Sequence, residues 1–272
     1  MKIGIAAKDD SLNKDFEIEK IIEIAKRNNS EVIIPNDFLS DSDFYNQIDL
    51  VIVLGGDGTM LKVSKKAAEN DIPILGLNFG RIGFLTDLEK KDVELVEKLF
   101  TDNYNIDERM MLEADIYYEE NMHSVKSTYL ALNDIIISRG LLPKMVDLSL
   151  YIDNEYFSEI RADGVIFSTP TGSTAYSLSA GGSVIDPNSE LIAITPICPH
   201  TLKSRPLIIN KNRKISICHQ EKTADYSYIS CDGDESIPIK QGSRMDICIS
   251  EKKIKLIRIL NRNFYSILKE KV

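Results

Sequence analysis

No apolar run in this sequence approaches the roughly 18 residues that a helix needs to span a bilayer. The first apolar run is too short for a secretory signal peptide and ends at the charged residues Lys8, Asp9 and Asp10. We therefore expect residues 2–7 to form a first strand, and we expect a cytoplasmic protein with no membrane partner.

Cysteine and histidine are scarce, and neither is arranged as a metal site. The residues concerned are Cys198, Cys218, Cys231, Cys248, His123, His200 and His219. No two cysteines form a C-x-x-C pair, and no histidine has another histidine or a carboxylate at the spacing of zinc ligands. We expect reduced cysteines in the core and no metal bound by protein side chains.

Positive charge is also in short supply. The chain has 42 Asp and Glu against 33 Lys and Arg, a net charge of −9. An acidic surface disfavours nucleic acid or an anionic membrane as the main partner, so a nucleotide site would need a locally basic pocket. The G-x-S-x-G elbow that is typical of many hydrolases is missing as well.

The first 101 residues alternate between strand and helix patterns. Strands are predicted over residues 2–7, 31–34, 50–54 and 73–77, and helices over 14–28, 60–68 and 91–100. The run from Leu50 to Leu54 is continuously aliphatic, which is typical of a strand covered on both faces. This alternation predicts an α/β domain over 1–101, a parallel sheet with flanking helices.

From residue 102 onward the pattern changes to short alternating strands separated by turn signals. Strands are predicted over residues 146–152, 156–160, 165–168, 215–218 and 245–249. We predict a β-rich, sandwich-like domain over 102–257. Residues 258–272 are predicted to form a C-terminal helix that packs back on the first domain.

The loop Gly55-Gly56-Asp57-Gly58-Thr59 lies between a predicted strand and a predicted helix. Glycines at this point let backbone N–H groups approach an anion, and the helix N-terminus adds a favourable dipole. Asp57 would repel a phosphate unless it holds a metal ion or takes a proton from a hydroxyl beside the phosphate. The alternative is a tight turn in which Asp57 only caps the helix. No lysine lies inside the loop, so it is not the G-x-x-x-x-G-K-[ST] phosphate loop.

Residues 161–182 are dense in small polar residues. Arg161-Ala162-Asp163-Gly164 precedes a strand, and residues 169–182 then combine hydroxyls, glycines and one aromatic, Tyr176. Such a stretch donates many hydrogen bonds to a polar ligand, and Tyr176 offers a face for stacking. The alternative is a polar helix start followed by a glycine-rich loop.

Two further polar segments interrupt apolar sequence. Asn133-Asp134 follows Tyr129–Leu132 and precedes Ile135–Ile137. The pair either satisfies its own neighbours at a bend or reads a base edge or ribose diol, and the sequence does not separate these readings. Asp232-Gly233-Asp234 is predicted to be a hairpin turn that could also reach an active site.

Taken together, these motifs resemble the NAD kinase family. The resemblance is carried by residues 55–59, 132–134, 163–165, 171–182, 195–200 and 205–207, in matching order over nearly the whole chain. The Gly-Gly-Asp-Gly loop alone is shared with diacylglycerol, sphingosine and phosphofructo-kinases. The stretch 163–182 is much more specific.

The resemblance implies ATP-dependent phosphorylation of the adenosine 2′-hydroxyl of NAD, with ATP accompanied by Mg²⁺ or another divalent cation. It makes 1–101 an ATP-binding domain and 102–257 an NAD-binding domain. It implies that Asp57 is the general base and that Gly58 lies at the nucleotide. The remaining binding residues that it implies are Lys62, Asn133, Asp134, Lys144, Arg161, Asp163, Thr174, Ala175, Tyr176, Ser177, Leu178 and Ser179. It also implies a homodimer or homotetramer whose pocket is completed across the subunit interface.

Two other functions remain open from the sequence. A lipid kinase of the same loop superfamily would need an apolar groove where residues 168–182 are rich in Ser, Thr and Gly. A non-catalytic NAD(P) sensor would need no acid at position 57. Formation of NADP from NAD, ATP and Mg²⁺ would distinguish the three.

Overall fold

The computed structural model describes residues 1–7, 15–80, 83–120, 123–141, 144–201, 204–220 and 226–271. The chain forms two compact units. Unit 1 comprises Met1–Arg109 and Lys252–Val272, and unit 2 comprises Met110–Glu251. The predicted boundaries near residues 102 and 258 stay a prediction.

Unit 1 is built on a parallel sheet. Its strands are β1 (Lys2–Ala7), β2 (Glu31–Ile33), β3 (Leu50–Leu54), β4 (Ile74–Asn78) and β5 (Leu88–Glu89). They pair in the order β2-β1-β3-β4, with β5 beside β4. All five residues of β3 are buried, as its uninterrupted aliphatic sequence predicts.

Unit 1 contains helices as well as the sheet, as predicted. They are α1 (Asp15–Arg27), α2 (Ser42–Asn46), α3 (Asp57–Glu69) and a 3₁₀ helix at Lys90–Thr101. The remaining described helices are α4 (Tyr176–Ser179) and a 3₁₀ helix at Gly172–Thr174, both in unit 2, and α5 (Phe264–Lys271) in unit 1. Apolar residues of α1 and of Lys90–Thr101 pack with the strands in one core, which includes Ile21, Ile24, Val96 and Leu99. Residue 14, where the first helix was predicted to begin, lies outside the described residues.

Unit 2 consists of antiparallel strands in two sets. Its strands are β6 (Asn105–Glu120), β7 (His123–Ala131), β8 (Asp134–Ser138), β9 (Val146–Ile152), β10 (Glu155–Ala162), β11 (Gly164–Ser168), β12 (Leu191–Ile197), β13 (Leu207–Asn210), β14 (Ile215–His219), β15 (Tyr226–Cys231), β16 (Ile237–Lys240) and β17 (Arg244–Arg258). One set is a six-stranded sheet in the order β13-β12-β11-β8-β15-β16. In the other, β10-β9-β14-β17 are neighbours, and β6 pairs with β7 and β17.

A core of aliphatic side chains from both sets fills unit 2, including Leu148, Val165, Phe167, Ile217 and Ile247. Alternation along each strand places these residues on the inner faces, which is the arrangement of a sandwich. The turn between β9 and β10 has positive φ at both Asp153 (53°) and Asn154 (68°). This is the hairpin geometry that an Asp-Asn pair tolerates.

The predicted fold class is confirmed. The chain passes into unit 2 within β6 and returns to unit 1 within β17, and α5 then packs on unit 1, where Phe264 contacts Phe84 at 5.6 Å between ring centroids. None of the four cysteines, all of which lie in the described residues, forms a disulfide; Cys231 is buried and Cys198 is exposed. Among the described helices, none has the length and apolar character to cross a membrane.

Candidate active site

In unit 1 the candidate site lies at the carboxyl edge of the parallel sheet. The Gly55–Thr59 loop follows β3, and residues 79–86 follow the neighbouring strand β4. The carboxyl ends of parallel strands meet at one edge, where open α/β sheets bind ligands. The Gly55 amide donates to the Leu77 carbonyl at 3.0 Å, which ties the loop to the end of β4.

Asp57 is the first residue of α3, and its carboxylate is held by backbone from the β4–β5 connection. The Phe84 amide donates to Oδ2 at 2.9 Å and the Leu85 amide to Oδ1 at 3.1 Å. About a third of the side chain (31%) stays exposed, so a hydroxyl group has access to the carboxylate. A carboxylate oxygen accepts more than one hydrogen bond, and Asp57 therefore keeps acceptor capacity for a ligand.

Glycine at position 83 is what lets the chain come this close. A Cβ there would lie 1.8 Å from Asp57 Oδ1, far inside van der Waals contact. Only a residue without a side chain fits beside the carboxylate in this arrangement.

A cation from the C-terminal helix also reaches Asp57. Lys271 Nζ lies 3.9 Å from Asp57 Oδ2 and 4.7 Å from the centroid of the Phe84 ring. Phe84 therefore contacts two residues of α5, Phe264 and Lys271. The helix contributes a positive charge to a loop that contains no lysine of its own.

A cavity of about 460 Å³ opens at the N-terminus of α3. It is lined by Ala7, Asn36, Asp37, Phe38, Leu39, Gly56, Gly58, Thr59 and Lys62. The N-cap is Gly56, which makes no side-chain cap bond, and Gly58 and Thr59 of the first turn line the cavity. A volume in this range suits a small-molecule ligand, and the exposed Lys62 suits an anionic one.

In unit 2 the second group of predicted residues meets at one end of the six-stranded sheet. Asp134 begins β8 and lies opposite Ser168, the last residue of β11. The Thr169 amide donates to the Asn133 carbonyl at 2.9 Å, and Thr169 Oγ1 donates to the Leu132 carbonyl at 2.6 Å. The structure therefore brings the 133–134 segment and the start of the 169–182 segment into contact.

Gly172 completes this contact. A Cβ at Gly172 would lie 2.1 Å from the Asn133 carbonyl oxygen, so the turn closes on the 133–134 segment only with glycine there.

Asp232 holds the 133–134 segment from the other side. Its carboxylate accepts the amides of Leu132 (2.7 Å), Asn133 (2.7 Å) and Asp134 (3.1 Å). The turn that carries Asp232 has positive φ at Asp232 and Gly233, and it joins two antiparallel strands as predicted. Asp232 therefore fixes the backbone of this segment although 98 to 100 residues separate them in the sequence.

The Asp134 carboxyl has an unusually high pKa. Burial raises its pKa to about 7, and the nearby Asp232 charge adds to the effect. Near neutral pH a substantial share of Asp134 is therefore protonated, and in that form the carboxyl donates a hydrogen bond as well as accepting.

The 173–179 segment contains two buried serines that hydrogen-bond to the surrounding protein, and several exposed or partly exposed residues. Ser173 Oγ donates to the Pro170 carbonyl at 2.6 Å and accepts from the Ile185 amide at 2.9 Å, while Ser177 Oγ bonds Thr195 Oγ1 at 3.0 Å. Both serines are fully buried. The side chains of Tyr176 and Ser179 are exposed, and Thr174, Ala175 and Leu178 are partly exposed.

The remaining predicted residues lie at the opposite end of β8 and β11. Asp163 precedes β11, whose first residue Gly164 lies opposite Ser138, the last residue of β8. Arg139 Nε donates to Asp163 Oδ1 at 2.8 Å. Five strand residues span about 17 Å, so this end is distinct from the Asn133–Asp134 end.

Lys144 and Arg161 belong to that second end. Lys144 precedes β9, whose first residues pair with the last residues of β10, and both side chains are exposed. Arg161 Nε lies 3.7 Å from the buried carboxylate of Asp147. Two ion pairs, Arg139 with Asp163 and Arg161 with Asp147, therefore lie at this end of the strands.

Sequence patterns missed four contributors to these sites. Phe84 and Leu85 act through backbone amides, which no side-chain motif records, and Lys271 lies 214 positions beyond Asp57 in the chain. Arg139 follows a predicted strand, but nothing in its neighbours indicated its bond to Asp163. Gly83 was the available signal for the loop, since a glycine often marks close approach of backbone.

Comparison with known proteins decides the family. Residues 132–259 match the ATP-NAD kinase C-terminal domain, and residues 40–104 match the ATP-NAD kinase N-terminal domain. The chain belongs to the NAD kinase family. This confirms the family, and with it the ATP-dependent NAD kinase activity, that the motifs at 55–59 and 163–182 indicated.

Relatives with the name NAD kinase align over most or all of the chain. The NAD kinase of Caldicellulosiruptor saccharolyticus is 36% identical over 274 residues, which covers 100% of this chain and 99% of the relative. The NAD kinase of Ruminiclostridium cellulolyticum is 41% identical over 228 residues, 84% of this chain and 79% of the relative. These names favour NAD kinase over the lipid-kinase alternative.

Solved NAD kinase structures share the fold. Yeast NADH kinase complexed with NADH has a TM-score of 0.86 at 26% identity, and the match covers 100% of this chain and 87% of that one. An NAD kinase from Archaeoglobus fulgidus in complex with ATP has a TM-score of 0.78 at 27% identity, covering 100% and 98%.

Proposed function

We propose that this NAD kinase uses Asp57 as the general base that accepts the proton of the adenosine 2′-hydroxyl of NAD as the oxygen attacks the γ-phosphate of ATP. The observation that carries the proposal is the Asp57 carboxylate, fixed by the Phe84 and Leu85 amides at the N-terminus of α3 yet 31% exposed. A positioned general base contributes roughly 10²–10⁴-fold to such a step.

Mg²⁺ or another divalent cation would accompany ATP and offset negative charge on its phosphates. Among the described residues no cluster of three or more His, Cys, Asp or Glu side chains is arranged to hold a metal. The phosphates occupy the cavity at the start of α3, where Gly58 contributes backbone and Lys62 offsets their charge. Positioning and charge stabilisation supply most of the catalysis of phosphoryl transfer.

NAD binds through the residues of unit 2. Asn133 and Asp134 bind the adenosine part, since their backbone is fixed by Asp232 and Thr169 and Asp134 offers both a donor and an acceptor near neutral pH. Residues 174–179 line the dinucleotide pocket, with Tyr176 (46% exposed) as a stacking face. Ser177 serves there as the buried anchor of the segment.

Lys144, Arg161 and Asp163 act at the nicotinamide end, where the two cations offset the charge of the pyrophosphate. Because about 17 Å of strand separates them from Asp134, they serve a different part of the ligand. We infer that a second copy of the chain completes this end, in a homodimer or homotetramer. Native mass spectrometry identifies the assembly, and activity per protomer should fall when dilution dissociates it.

We propose a cytoplasmic location, because cysteines without disulfides, as all four are here, suit a reducing compartment. Cell fractionation tests it, and recovery of the protein outside the cytoplasm would contradict it.

One assay tests the reaction. Purified protein incubated with NAD, ATP and Mg²⁺ should form NADP, and parallel reactions with NADH or with polyphosphate measure acceptor and donor preference. Diacylglycerol and sphingosine vesicles replace NAD in the lipid-kinase control. Binding of NAD without turnover would instead support a sensor.

The variant Asp57→Asn tests the base. We expect turnover to fall by about 10²–10⁴-fold while calorimetry shows NAD binding nearly unchanged. Asp43→Asn, on the exposed first turn of α2, is the control that should keep wild-type turnover. Turnover close to wild type in Asp57→Asn would refute the assignment of the base.

A further inference from the structure

Arg258, at the end of β17, lies largely buried in unit 1 beside the segment that holds Asp57. Only 12% of its side chain is exposed. Nη1 donates to the carbonyls of Leu85 (3.1 Å) and Thr86 (3.2 Å), and Nη2 donates to the carbonyl of Phe84 (3.2 Å). A single guanidinium therefore binds three consecutive carbonyls.

The same short segment has two opposed hydrogen-bonding sides. On one side the Phe84 and Leu85 amides donate to the two oxygens of Asp57. On the other, the carbonyls of these residues accept from Arg258. Because each peptide unit is planar, fixing a carbonyl also fixes the N–H of the following residue. The Phe84 carbonyl thus orients the Leu85 amide that bonds Asp57 Oδ1.

Arg258 is itself held in place. Its Nε donates to Asp107 Oδ2 at 3.1 Å, and Arg109 donates to both oxygens of the same carboxylate. Burial favours a neutral Asp107, but the hydrogen bonds and charges of Arg109 and Arg258 outweigh it and lower the pKa of this carboxyl, which stays ionised. The amides after Arg258, those of Ile259 and Leu260, donate to Asp87 Oδ2 at 2.7 and 2.9 Å.

We propose that Arg258 is a positioning residue for the phosphoryl-transfer reaction, which fixes the 84–86 backbone so that two amides hold the Asp57 carboxylate in its reactive orientation. The proposal rests on the proposed role of Asp57 as general base. Arginine is suited to this position because its planar guanidinium has five donors in a fixed geometry, whereas a lysine ammonium has three on a flexible stem.

The first test is Arg258→Lys, which keeps the charge but cannot bind three carbonyls and Asp107 together. A misplacement of about 1 Å costs on the order of 10²-fold, so we expect kcat to fall by roughly that factor. The KM values for NAD and ATP should change less than about threefold, because Arg258 acts through Asp57 and not on the ligands. Arg262→Lys is the matched control, since this partly buried arginine of unit 1 pairs with the carboxylates of Glu89 and Asp92, and we expect it to keep kcat within about threefold.

Two further readouts separate positioning from general stability. Added methylguanidinium should raise the kcat of Arg258→Ala at least tenfold and should not change the kcat of Arg262→Ala. Hydrogen exchange of the Phe84 and Leu85 amides should accelerate in Arg258→Lys relative to that of the amides in β3 and β4. If either Arg258 variant does not fold, Asp107→Asn replaces it, because it loosens Arg258 through Nε and leaves the guanidinium present.

Asp57→Asn, measured in parallel, keeps the two proposals distinguishable. If Asp57→Asn retains turnover, the proposed base is wrong whatever Arg258 does. If Asp57→Asn is inactive but Arg258→Lys loses no more kcat than Arg262→Lys, positioning by Arg258 is refuted and the base assignment stands. In the double variant Asp57→Asn/Arg258→Lys we expect no further loss beyond that of Asp57→Asn, since both changes act on one step.

Discussion

The Phe84 amide donates a hydrogen bond to Asp57 Oδ2 over 2.9 Å, although 27 residues separate the two along the chain. The bond exists because β3 and β4 are parallel neighbours whose carboxyl ends lie at the same edge. Asp57, whose negative charge would repel a phosphate in this loop, is therefore oriented by backbone amides and not by a side chain. The predictions below test this arrangement and its counterpart in unit 2.

Gly83→Ala should displace the Asp57 carboxylate. The new Cβ would lie 1.8 Å from Asp57 Oδ1, so either the carboxylate or the 83–85 backbone has to move. We expect kcat to fall by on the order of 10²-fold, with smaller changes in KM. Gly80→Ala in the same connection is the control, because a Cβ there meets no described atom within 4 Å. Equal kcat values for the two variants would show that the close approach at Gly83 has no catalytic importance.

Lys271→Met should weaken catalysis modestly. It removes the cation 3.9 Å from Asp57 Oδ2 and keeps a side chain of similar length over Phe84. Partly exposed ion pairs contribute roughly 0.2–1 kcal/mol, which corresponds to at most about a fivefold loss in kcat. The loss should shrink as salt concentration rises. Lys269→Met, at an exposed position of the same helix, is the control. An equal loss of kcat in Lys269→Met would show that the charge of Lys271 beside Asp57 has no specific effect.

Asp232→Asn should lower the affinity for NAD and leave ATP binding unchanged. The carboxylate of Asp232 accepts three backbone amides of residues 132–134, and the neutral amide oxygen of asparagine accepts them more weakly. We expect KM for NAD to rise by roughly tenfold, since hydrogen bonds to charged groups contribute about 1.5–3 kcal/mol each. Asp234→Asn, in the exposed part of the same turn, should leave KM near the wild-type value. A rise in KM for ATP of the same size would contradict the assignment of this segment to NAD.

Asp134 should make stability fall as pH rises. Burial, with the charge of Asp232, raises the pKa of Asp134 to about 7 from an ordinary value of 3.8. Between these values the folded protein keeps a proton that the unfolded chain has released. The contribution of Asp134 to the free energy of unfolding therefore decreases from about pH 4 to about pH 7 and is constant above that.

Asp134→Asn should remove this part of the pH dependence. Urea unfolding from pH 4.5 to 8 should give a difference between variant and wild type that grows in favour of the variant as pH rises. About 1.4 kcal/mol per pKa unit puts the upper limit near 4 kcal/mol. Parallel stability curves for the two proteins would show that Asp134 does not titrate in this window.

The sequence predicts those parts of the fold that depend on a local pattern of residue types. Continuous aliphatic runs such as Leu50–Leu54 mark the parallel strands, and the Asp153-Asn154 pair marks a hairpin turn with two positive φ angles. Helix α3 begins at Asp57 itself and not at Met60, because the glycine before it serves as N-cap without a side-chain bond. Boundaries of this kind depend on one or two backbone angles, which sequence patterns constrain weakly.

The candidate site was accessible only in part. Asp57 and Asn133 stand out because polar residues interrupt apolar sequence, and the glycines beside Asp57 indicate close approach. Arg258 gives no such signal, since it lies near the end of a long strand, β17, whose pattern is that of an ordinary half-buried strand. Its partners are backbone carbonyls 172 to 174 residues away.

By itself the sequence determined the class of each unit, the glycine loop with its acid, and the family. These follow from residue types at fixed short spacings, which act through local conformation and burial. Only the tertiary structure decided what holds Asp57 and the 133–134 segment. Arg258 donates to the carbonyls of the segment that binds Asp57, and Asp232 accepts the amides of residues 132–134. No local pattern specifies these hydrogen bonds, because they form only when the strands are assembled.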